Sequence, residues 1–344
     1  MNLNTALFIN VNIRNEKKFC IRRGDGDNFK ALYRFSRENV EWLSDHFLND
    51  REDTRGGGLS NVLKMKIFLR YLGDPGFQVG VGEDVGVHQT TVCKTIWHVC
   101  QKIIEKSNEW IKFPSTENEF REAKRSWSRK GKIPNAIGAI DCTHVKIERP
   151  HRHPDEFINR KGLASFNVQA TCDANDVITS IDCSWPGSVH DSRIWKNSDV
   201  YRTMFENTSG ALLLGDEGYA IAPWIMTPYR NPDTVVRVNY NKIFCRERVV
   251  IERVFGQVKR RFPFLQNTVR MITHRVPSMV LACFILHNVA KYLQDEDFDY
   301  DEDDAGDANN VGANEIGDIR IRGRNRRDAI AVLLSRSSHV AVDE

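Results

Sequence analysis

The pattern of apolar residues changes character near residue 132, and this change limits the folds that the chain can adopt. From Asn28 to about Ile111, apolar residues recur every three to four positions, which is typical of amphipathic helices. After the basic stretch KRSWSRKGK, which ends at Lys132, short runs rich in Val, Ile and Thr are separated by turn residues, as expected for strands. A helical region followed by an α/β region is therefore predicted.

The second region contains four predicted strands, at Ala136 to Ile147, Phe166 to Asp173, Val177 to Trp185 and Ala211 to Leu214. The turn residues DAND between the second and third strands predict a hairpin. Helical periodicity returns at Arg246 to Arg261 and at Pro277 to Leu293. In the first region Ser36 and Ser60 precede helical segments and are predicted to be N-caps.

Composition divides the chain into an N-terminal tail (1–27), a helical region (28–132), an α/β domain (133–293) and a tail (294–344). The last is first acidic and then basic, and is expected to be mostly disordered, because Asp295 to Asp307 holds nine acids and no Lys or Arg. Without these nine acids, the formal net charge of +3 becomes +12 for the rest of the chain. Such a charge favours binding to a polyanion, of which nucleic acid is the usual one.

Membrane, secreted and zinc-binding classes are not expected. No run approaches the roughly eighteen apolar residues of a membrane span. The start, MNLNTALFINVNIRNEKK, lacks a charged n-region and a small-residue cleavage site. The eight cysteines include no C-x-x-C pair, which argues against a disulfide framework or a zinc knuckle. A globular protein of a reducing compartment fits these features best.

Three acidic residues occupy positions where a carboxylate needs a partner or faces ligands. Asp141 interrupts the apolar run GAIDCTHVKI, so its charge must be paired or bound to a metal. Asp216 follows the apolar run ALLLG, at the end of a predicted buried strand, where open α/β sheets bind ligands. Glu252 lies on the helix predicted from RVVIERVFGQVKRRF, on a face that points partly inward.

Carboxylates from distant segments are suitable ligands for Mg²⁺ or Mn²⁺. Two such ions about 3.5–4 Å apart can activate water and stabilise the leaving oxygen when a phosphodiester is cleaved. An Asp taken alone is more often a turn or cap residue. The spacing of the three acids and their sheet context nevertheless predict that Asp141, Asp216 and Glu252 converge.

The segments around these acids resemble a known family. The resemblance is carried, in this order, by GAIDCTHVKI, FINRKGLASFNVQATCDAND, WPGSVHDSRIW, LLGDEGYA and ERVVIERVFGQVKRRFPFL. From about Asn28 to Leu334 the chain resembles PIF/Harbinger-type transposases, most of all their domesticated nuclease relatives of the DDE endonuclease superfamily. The resemblance implies an RNase H-like fold, a mixed sheet flanked by helices, in which Asp141, Asp216 and Glu252 are the catalytic triad that binds two divalent cations.

Other residues of these segments have supporting interpretations. Asp191 is interpreted as the N-cap of the following helix rather than as a metal ligand, and His190 likewise as a residue that supports the site. The tripeptide of Asn159, Arg160 and Lys161 either contacts DNA phosphate or only joins two segments, because a basic tripeptide is usually a solvated loop. Arg160 and Lys161 are the candidate DNA contacts.

A DNA-reading helix is predicted in EDVGVHQTTVCKTIWHVCQKI, where apolar residues recur on one face. A turn at Gly86 before this helix matches helix-turn-helix geometry, in which the second helix enters the major groove. The face away from the core carries the candidate DNA contacts Gln89, Thr90 and Lys94. An ordinary helical hairpin would give the same pattern, and the glycines of VGVGEDV weaken the first helix of the pair.

The resulting hypothesis is a DNA endonuclease of the nucleus, and also of the cytoplasm, that acts with Mg²⁺ or Mn²⁺ by the two-metal mechanism. The resemblance further implies a Myb-like DNA-binding partner protein that helps nuclear entry. Two alternatives stay open. One is a catalytically silent nuclear protein that binds DNA or recruits a partner, and the other is an active Harbinger transposase.

Overall fold

The structure is a computed structural model that describes residues 28–48, 58–74, 78–207, 209–295, 298 and 317–339. These residues form two compact units. The first comprises the described residues up to Trp110 together with Val258–Phe298, and the second comprises Ile111–Gln257 together with the described residues beyond Phe298. The predicted N-terminal tail, residues 1–27, lies outside the described residues.

In chain order, the helices before the sheet are α1 (Phe29–Tyr33), α2 (Arg37–Phe47), α3 (Asn61–Gly73), α4 (Gln78–Val85), α5 (Gln89–Glu105), α6 (Ser107–Trp110) and α7 (Glu117–Ser128). The sheet region that follows consists of β1 (Ala136–Lys146), β2 (Ser165–Cys172), β3 (Ile178–Pro186), α8 (Asp191–Asn197), α9 (Asp199–Glu206), β4 (Leu212–Leu214) and β5 (Ile225–Met226). The remaining helices are α10 (Val235–Arg261), α11 (Val276–Tyr292) and α12 (Gly317–His339).

A five-stranded mixed sheet forms the centre of the second unit, in the order β3-β2-β1-β4-β5. Strands β1, β2 and β3 pair in antiparallel fashion, whereas β4 runs parallel to both β1 and β5. Every residue of β2 is buried, as expected for a central strand covered on both faces. The predicted hairpin is confirmed, because the Asp173 carboxylate accepts the backbone N–H groups of Asn175 and Val177 between β2 and β3. A mixed α/β sheet flanked by helices is thus confirmed.

Apolar side chains from the sheet and its helices form the core of the second unit. Ile140 of β1 and Leu213 of β4 are fully buried, and Trp195 of α8 and Met204 of α9 pack in the same cluster. Phe120 of α7 belongs to it as well. Helix α7 therefore packs on the sheet, although the sequence analysis assigned it to the helical region that ends at residue 132.

The first unit is built from helices. Ser36 and Ser60 are confirmed as N-caps, because each side chain accepts a backbone N–H of the helix that follows. Most residues of α11 are buried, and this helix packs against α5 and α6. The predicted boundary at residue 293 placed α11 in the α/β domain. In the structure α11 lies in the first compact unit. Its surface is apolar on all sides, as expected for a helix that is buried among other helices.

The C-terminal region corrects the expectation that residues 294–344 are mostly disordered. Helix α12 is part of the second unit, where Ile330 and Leu334, one turn apart, are buried. The guanidinium of Arg327 stacks 3.8 Å from the ring of Tyr229, whose hydroxyl donates to Asp328 at 2.5 Å. These contacts explain why so basic a segment is ordered.

Asp295, the first residue of the acidic run, is buried, although the run as a whole was expected to be disordered. Its side chain is 1% exposed and pairs with Arg261, which is equally buried. The rest of the run, apart from Phe298, lies outside the described residues. Within the described residues, no helix is both long and apolar enough to cross a membrane.

Candidate active site

The parallel pairing of β1 with β4 brings Asp141 and Asp216 close together. Ala139 is the register partner of Leu214. Asp141 lies two residues beyond Ala139, in the middle of β1, and Asp216 lies two residues beyond Leu214, the last residue of β4. Because neighbouring strands are about 4.8 Å apart, the two carboxylates are neighbours across the β1–β4 pair.

Helix α10 carries Glu252, and an arginine of the same helix, which the sequence analysis missed, links Glu252 to Asp141. Arg248 Nη1 donates to Asp141 Oδ2 at 3.0 Å, and Arg248 Nη2 donates to Glu252 Oε1. Asp141 and Glu252 therefore share one guanidinium group. The signal that could have indicated Arg248 is its position four residues before Glu252, the spacing at which opposite charges pair on a helix.

Backbone N–H groups orient the two aspartates. The N–H of Cys142 donates to Asp141 Oδ1 at 2.8 Å, and the N–H of Gly218 donates to Asp216 Oδ1 at 2.9 Å. One oxygen of Asp141 is thus held by its own strand, while the other faces Arg248. Such a carboxylate has its direction fixed and keeps an oxygen for a cation.

Mutual repulsion and burial perturb the charges of this cluster. Burial, followed by the negative charge of Asp216, raises the pKa of Asp141 to about 7, although Arg248 acts in the opposite direction. Burial also raises the pKa of Asp216. Burial alone would lower the pKa of Arg248, but Asp141, Glu252 and Asp216 outweigh it, so this pKa is raised. These shifts favour a proton or a cation on the acids, and they keep the Arg248 guanidinium protonated beside them.

Asp191 is a fourth acid near the cluster, and its predicted role as an N-cap is wrong. His190 is the N-cap residue of α8, without a side-chain cap bond, and Asp191 is the first residue of the helix. The Asp191 side chain is buried and accepts a hydrogen bond from Asn167 Nδ2 at 2.8 Å. Its charge raises the pKa values of Asp141 and Asp216, so it lies close enough to influence both.

The donor set suits a hard divalent cation, because it consists of carboxylate oxygens. Among the described residues, however, no group of three or more His, Cys, Asp and Glu side chains is arranged to hold a metal ion. The Arg248 guanidinium lies between Asp141 and Glu252 instead. The residues fit Mg²⁺ or Mn²⁺ in chemistry, and Arg248 would have to turn away for a cation to reach both carboxylates.

The candidate DNA contacts lie in two separate places. Gln89, Thr90 and Lys94 are exposed on α5, which begins after a short turn that follows α4. Arg160 and Lys161 are exposed in the loop before β2. Asn159, in contrast, is buried and organises this loop through its amide, which donates to Ser165 and accepts the N–H groups of residues 161 and 163. It is therefore not available to phosphate.

The comparisons with known proteins agree with the chemistry of the cluster. The family described as DDE superfamily endonuclease matches residues 140–288, a range that includes Asp141, Asp216 and Glu252. The chain contains a DDE superfamily endonuclease domain.

Its relatives extend the similarity over most of the chain. The protein named "Putative nuclease HARBI1" is 27% identical over 267 residues in Rattus norvegicus and 26% identical in Homo sapiens, with 76% of each chain covered. "Protein ALP1-like" of Arabidopsis thaliana is 24% identical over 300 residues, covering 80% of this chain and 73% of that protein. No solved structure matches. The chain is therefore similar to these proteins over about three quarters of its length or more.

Proposed function

We propose that this chain is a transposase-derived DNA endonuclease that depends on divalent metal ions and uses Asp141, Asp216 and Glu252 as its catalytic triad. The observation that supports the proposal is the proximity of these acids: Asp141 and Asp216 follow paired residues of two adjacent parallel strands, and Glu252 shares Arg248 with Asp141. The name of the matching family supports the same reaction class. An RNase H-like fold is part of this proposal.

Asp141, Asp216 and Glu252 would hold the cations. Bound Mg²⁺ or Mn²⁺ would supply an activated water and neutralise charge on the leaving oxygen of the phosphodiester. The protein's own contribution is orientation, because the N–H groups of residues 142 and 218 fix one oxygen of each aspartate. Asp191, which accepts a hydrogen bond from Asn167, adds negative charge near the two aspartates, and this charge attracts a divalent cation more strongly than a monovalent one.

Arg248 has a positioning role in this proposal. Without a divalent cation, its guanidinium bridges Asp141 and Glu252 and keeps them near each other despite their repulsion. Replacing it by alanine, Arg248→Ala, removes a competitor for the carboxylates. We therefore expect tighter binding of Mn²⁺, measured by isothermal titration calorimetry, together with lower thermal stability in the absence of metal.

The test of the reaction is cleavage of supercoiled plasmid by the purified chain with Mg²⁺ or Mn²⁺. Asp141→Asn, Asp216→Asn and Glu252→Gln should each lower the rate by more than about 100-fold, because even residues that only orient metal ligands contribute 10–100-fold. The matched control is Asp199→Asn, since Asp199 is 90% exposed and pairs with its helical neighbour Arg202 in a surface contact. Equal cleavage by Asp141→Asn and the wild type would refute the triad.

A second candidate is a catalytically silent protein that binds DNA or recruits a partner. The presence of Arg248 between two of the acids favours it, because ion pairs of this kind also serve as sheet architecture. Wild-type protein that binds duplex DNA but neither binds Mn²⁺ nor cleaves plasmid would support this candidate. Activity as a Harbinger transposase is a third reading, and it requires strand transfer between DNA ends as well as cleavage.

DNA contacts by Gln89, Thr90 and Lys94 of α5, and by Arg160 and Lys161, belong to the same proposal. Their exposure supports it, since solvent-exposed side chains can reach a phosphate or a base edge. The proposal also includes a helix-turn-helix role for α4 and α5. It further includes a Myb-like partner protein, and residence in the nucleus and cytoplasm. Co-precipitation with candidate Myb-like proteins and imaging of a tagged chain would test the last two.

A further inference from the structure

A cavity of about 350 Å³ lies in the second unit, away from the acids of the candidate active site. We call it the α7–α10 cavity, because its walls come from the end of α7, one face of α10 and the turn between β2 and β3. Its charged and aromatic lining residues are Trp127, Lys130, Lys132, Arg246, Glu247 and Arg253. Four of these six side chains are cationic, and one is acidic.

Glu247 and Arg253 each have hydrogen-bond partners of their own in the wall of the cavity. The Glu247 carboxylate accepts Trp127 Nε1 at 2.9 Å and the backbone N–H groups of Lys132 and Ile133. Arg253 donates through Nε and Nη2 to Asp176 in the turn between β2 and β3. The donors to Glu247 are uncharged, so Glu247 keeps its negative charge and offsets one cation of the wall, while Asp176 offsets the charge of Arg253.

Gly131 shows how closely this wall is built. A Cβ atom at this position would lie 2.5 Å from Glu247 Oε2 and 2.6 Å from Trp127 Nε1. Because only glycine lets the backbone cross this pair, any side chain here would displace the hydrogen-bonded carboxylate. The basic residues on either side of Gly131 are therefore held in a fixed position at the cavity.

Three cations remain for a ligand. Lys130 Nζ donates to the carbonyl oxygen of Ala174 at 2.9 Å, which leaves two of its three protons. Lys132 and Arg246 are exposed, and neither forms an ion pair with a described acid. The charges of Lys130, Lys132 and Arg246 exceed the one negative charge of Glu247, so the cavity has a net positive charge.

We propose that the α7–α10 cavity is a second DNA-binding site, in which Lys130, Lys132 and Arg246 contact the phosphates of a backbone. Charge complementarity decides the class of ligand, because Lys and Arg make most phosphate contacts in protein–DNA complexes. Three separate cations favour a polyanion over one small anion, since each of them can meet a different phosphate. That this polyanion is DNA rests on the proposed function.

The cavity is separate from the triad because the two use different faces of α10. Successive residues of a helix are about 100° apart, so Arg246 and Arg248 project roughly 160° from each other. Val250 and Arg253 share the side of Arg246, whereas Glu252 shares the side of Arg248. Neutralising the cavity should therefore weaken DNA binding without removing a group from the carboxylate cluster.

The first experiment compares two double variants of the full chain. Lys132→Gln with Arg246→Gln removes two cavity cations, and Arg121→Gln with Arg202→Gln removes two exposed cations elsewhere in the second unit. Binding of a labelled 20-bp duplex is followed by fluorescence anisotropy from 50 to 200 mM salt. Each phosphate contact contributes about 0.9 to the slope of log affinity against log salt, so the cavity variant should lose about 1.8 and the control much less. Equal slopes and affinities would overturn the proposal.

A second experiment uses the unmodified protein, so that it does not depend on how a variant folds. Acetylation of lysines is measured by mass spectrometry with and without duplex, with Lys112, an exposed lysine of the same unit, as reference. Duplex should protect Lys132 at least several-fold more than Lys112. Protection by millimolar inorganic phosphate but not by duplex would overturn the proposal, because the cavity would then take only small anions.

The two proposals can fail separately. Plasmid cleavage that needs Asp141, together with unprotected Lys132, would overturn the second DNA site and leave the endonuclease intact. Protection of Lys132 by duplex, with no cleavage and no Mn²⁺ binding, would overturn the endonuclease and leave the second DNA site intact.

Discussion

Replacing Asp295 by alanine is expected to destabilise the first unit, because this carboxylate joins several of its segments. It accepts Arg261 Nη1 at 2.9 Å and Asn39 Nδ2 at 2.7 Å, and it also accepts the backbone N–H of Ser36 at 3.0 Å. Lys30 Nζ lies 3.1 Å away. The substitution would leave the Arg261 guanidinium buried without its carboxylate.

The magnitude follows from the burial of this pair. Both side chains are 1% exposed, and breaking a buried ion pair by removing one partner costs about 3–5 kcal/mol. One kcal/mol lowers the melting temperature of a domain of this size by roughly 2–4 °C. Asp295→Ala should therefore lower the melting temperature of the first unit by roughly 6–20 °C. Asp295→Asn keeps the shape and should lose less.

The pH dependence has a definite sign. Burial raises the pKa of Asp295, but hydrogen bonds from Ser36, Asn39 and Arg261 outweigh it, so the folded-state pKa is lowered. A carboxylate of this kind stabilises the fold above its unfolded pKa, near 3.9, and loses that contribution as the pH falls through the folded value. The difference between the wild type and Asp295→Ala should be complete at pH 7 and shrink below about pH 4.

Differential scanning calorimetry at several pH values measures both effects. The control is Asp318→Ala, which removes an exposed acid at the beginning of α12. A melting temperature of Asp295→Ala within about 1 °C of the wild type at pH 7 would refute the reasoning, since it would mean that Arg261 is satisfied without the carboxylate. A difference that grows as the pH falls from 7 to 3 would refute the sign.

Three further predictions concern the surface and the C-terminal helix. Neutralising the acids from Asp299 to Asp307 should strengthen non-specific duplex binding at low salt and scarcely change the melting temperature, because this substitution spares Asp295; equal affinities by titration would leave only a solubility role. Lys94→Gln should lower the salt slope of duplex binding by about 0.9, and an unchanged slope would exclude α5 from the DNA interface. Tyr229→Phe removes the hydroxyl that donates to Asp328 and should cost about 1.5–3 kcal/mol, measured by urea denaturation, whereas no loss would mean that α12 is held without this bond.

Local patterns in the sequence predicted the sheet and its acids well. Asp141 could be found because an ionisable residue within a buried run requires a partner, and Asp216 because it follows a short apolar strand. The N-caps Ser36 and Ser60 could be found for the same kind of reason, since the cap bond joins residues only three positions apart. All of these signals lie within a few residues of the feature that they predict.

Features that depend on distant partners could not be predicted in this way. In the sequence Asp295 is one of nine acids in the same run, and only its contact with Arg261 in the folded chain distinguishes it. Arg248 is one of several arginines on α10, and the sequence does not tell which of them turns toward Asp141. The sequence does not show that helix α11 belongs to the first compact unit, because its apolar surface indicates that it is buried without indicating against what.

Two groups of paired charges among the described residues differ in charge balance, and the difference bears on function. In the first unit, Asp295 meets the cations Arg261 and Lys30, so its negative charge is fully compensated within the protein. In the second unit, Asp141, Asp216 and Glu252 face the guanidinium of Arg248, whose one positive charge cannot neutralise three negative ones. Such a cluster must take up a proton, as the pKa of Asp141 near 7 indicates, or additional positive charge from solution. Because a purely architectural network gains nothing from this deficit, the imbalance favours a site that exists to bind divalent cations.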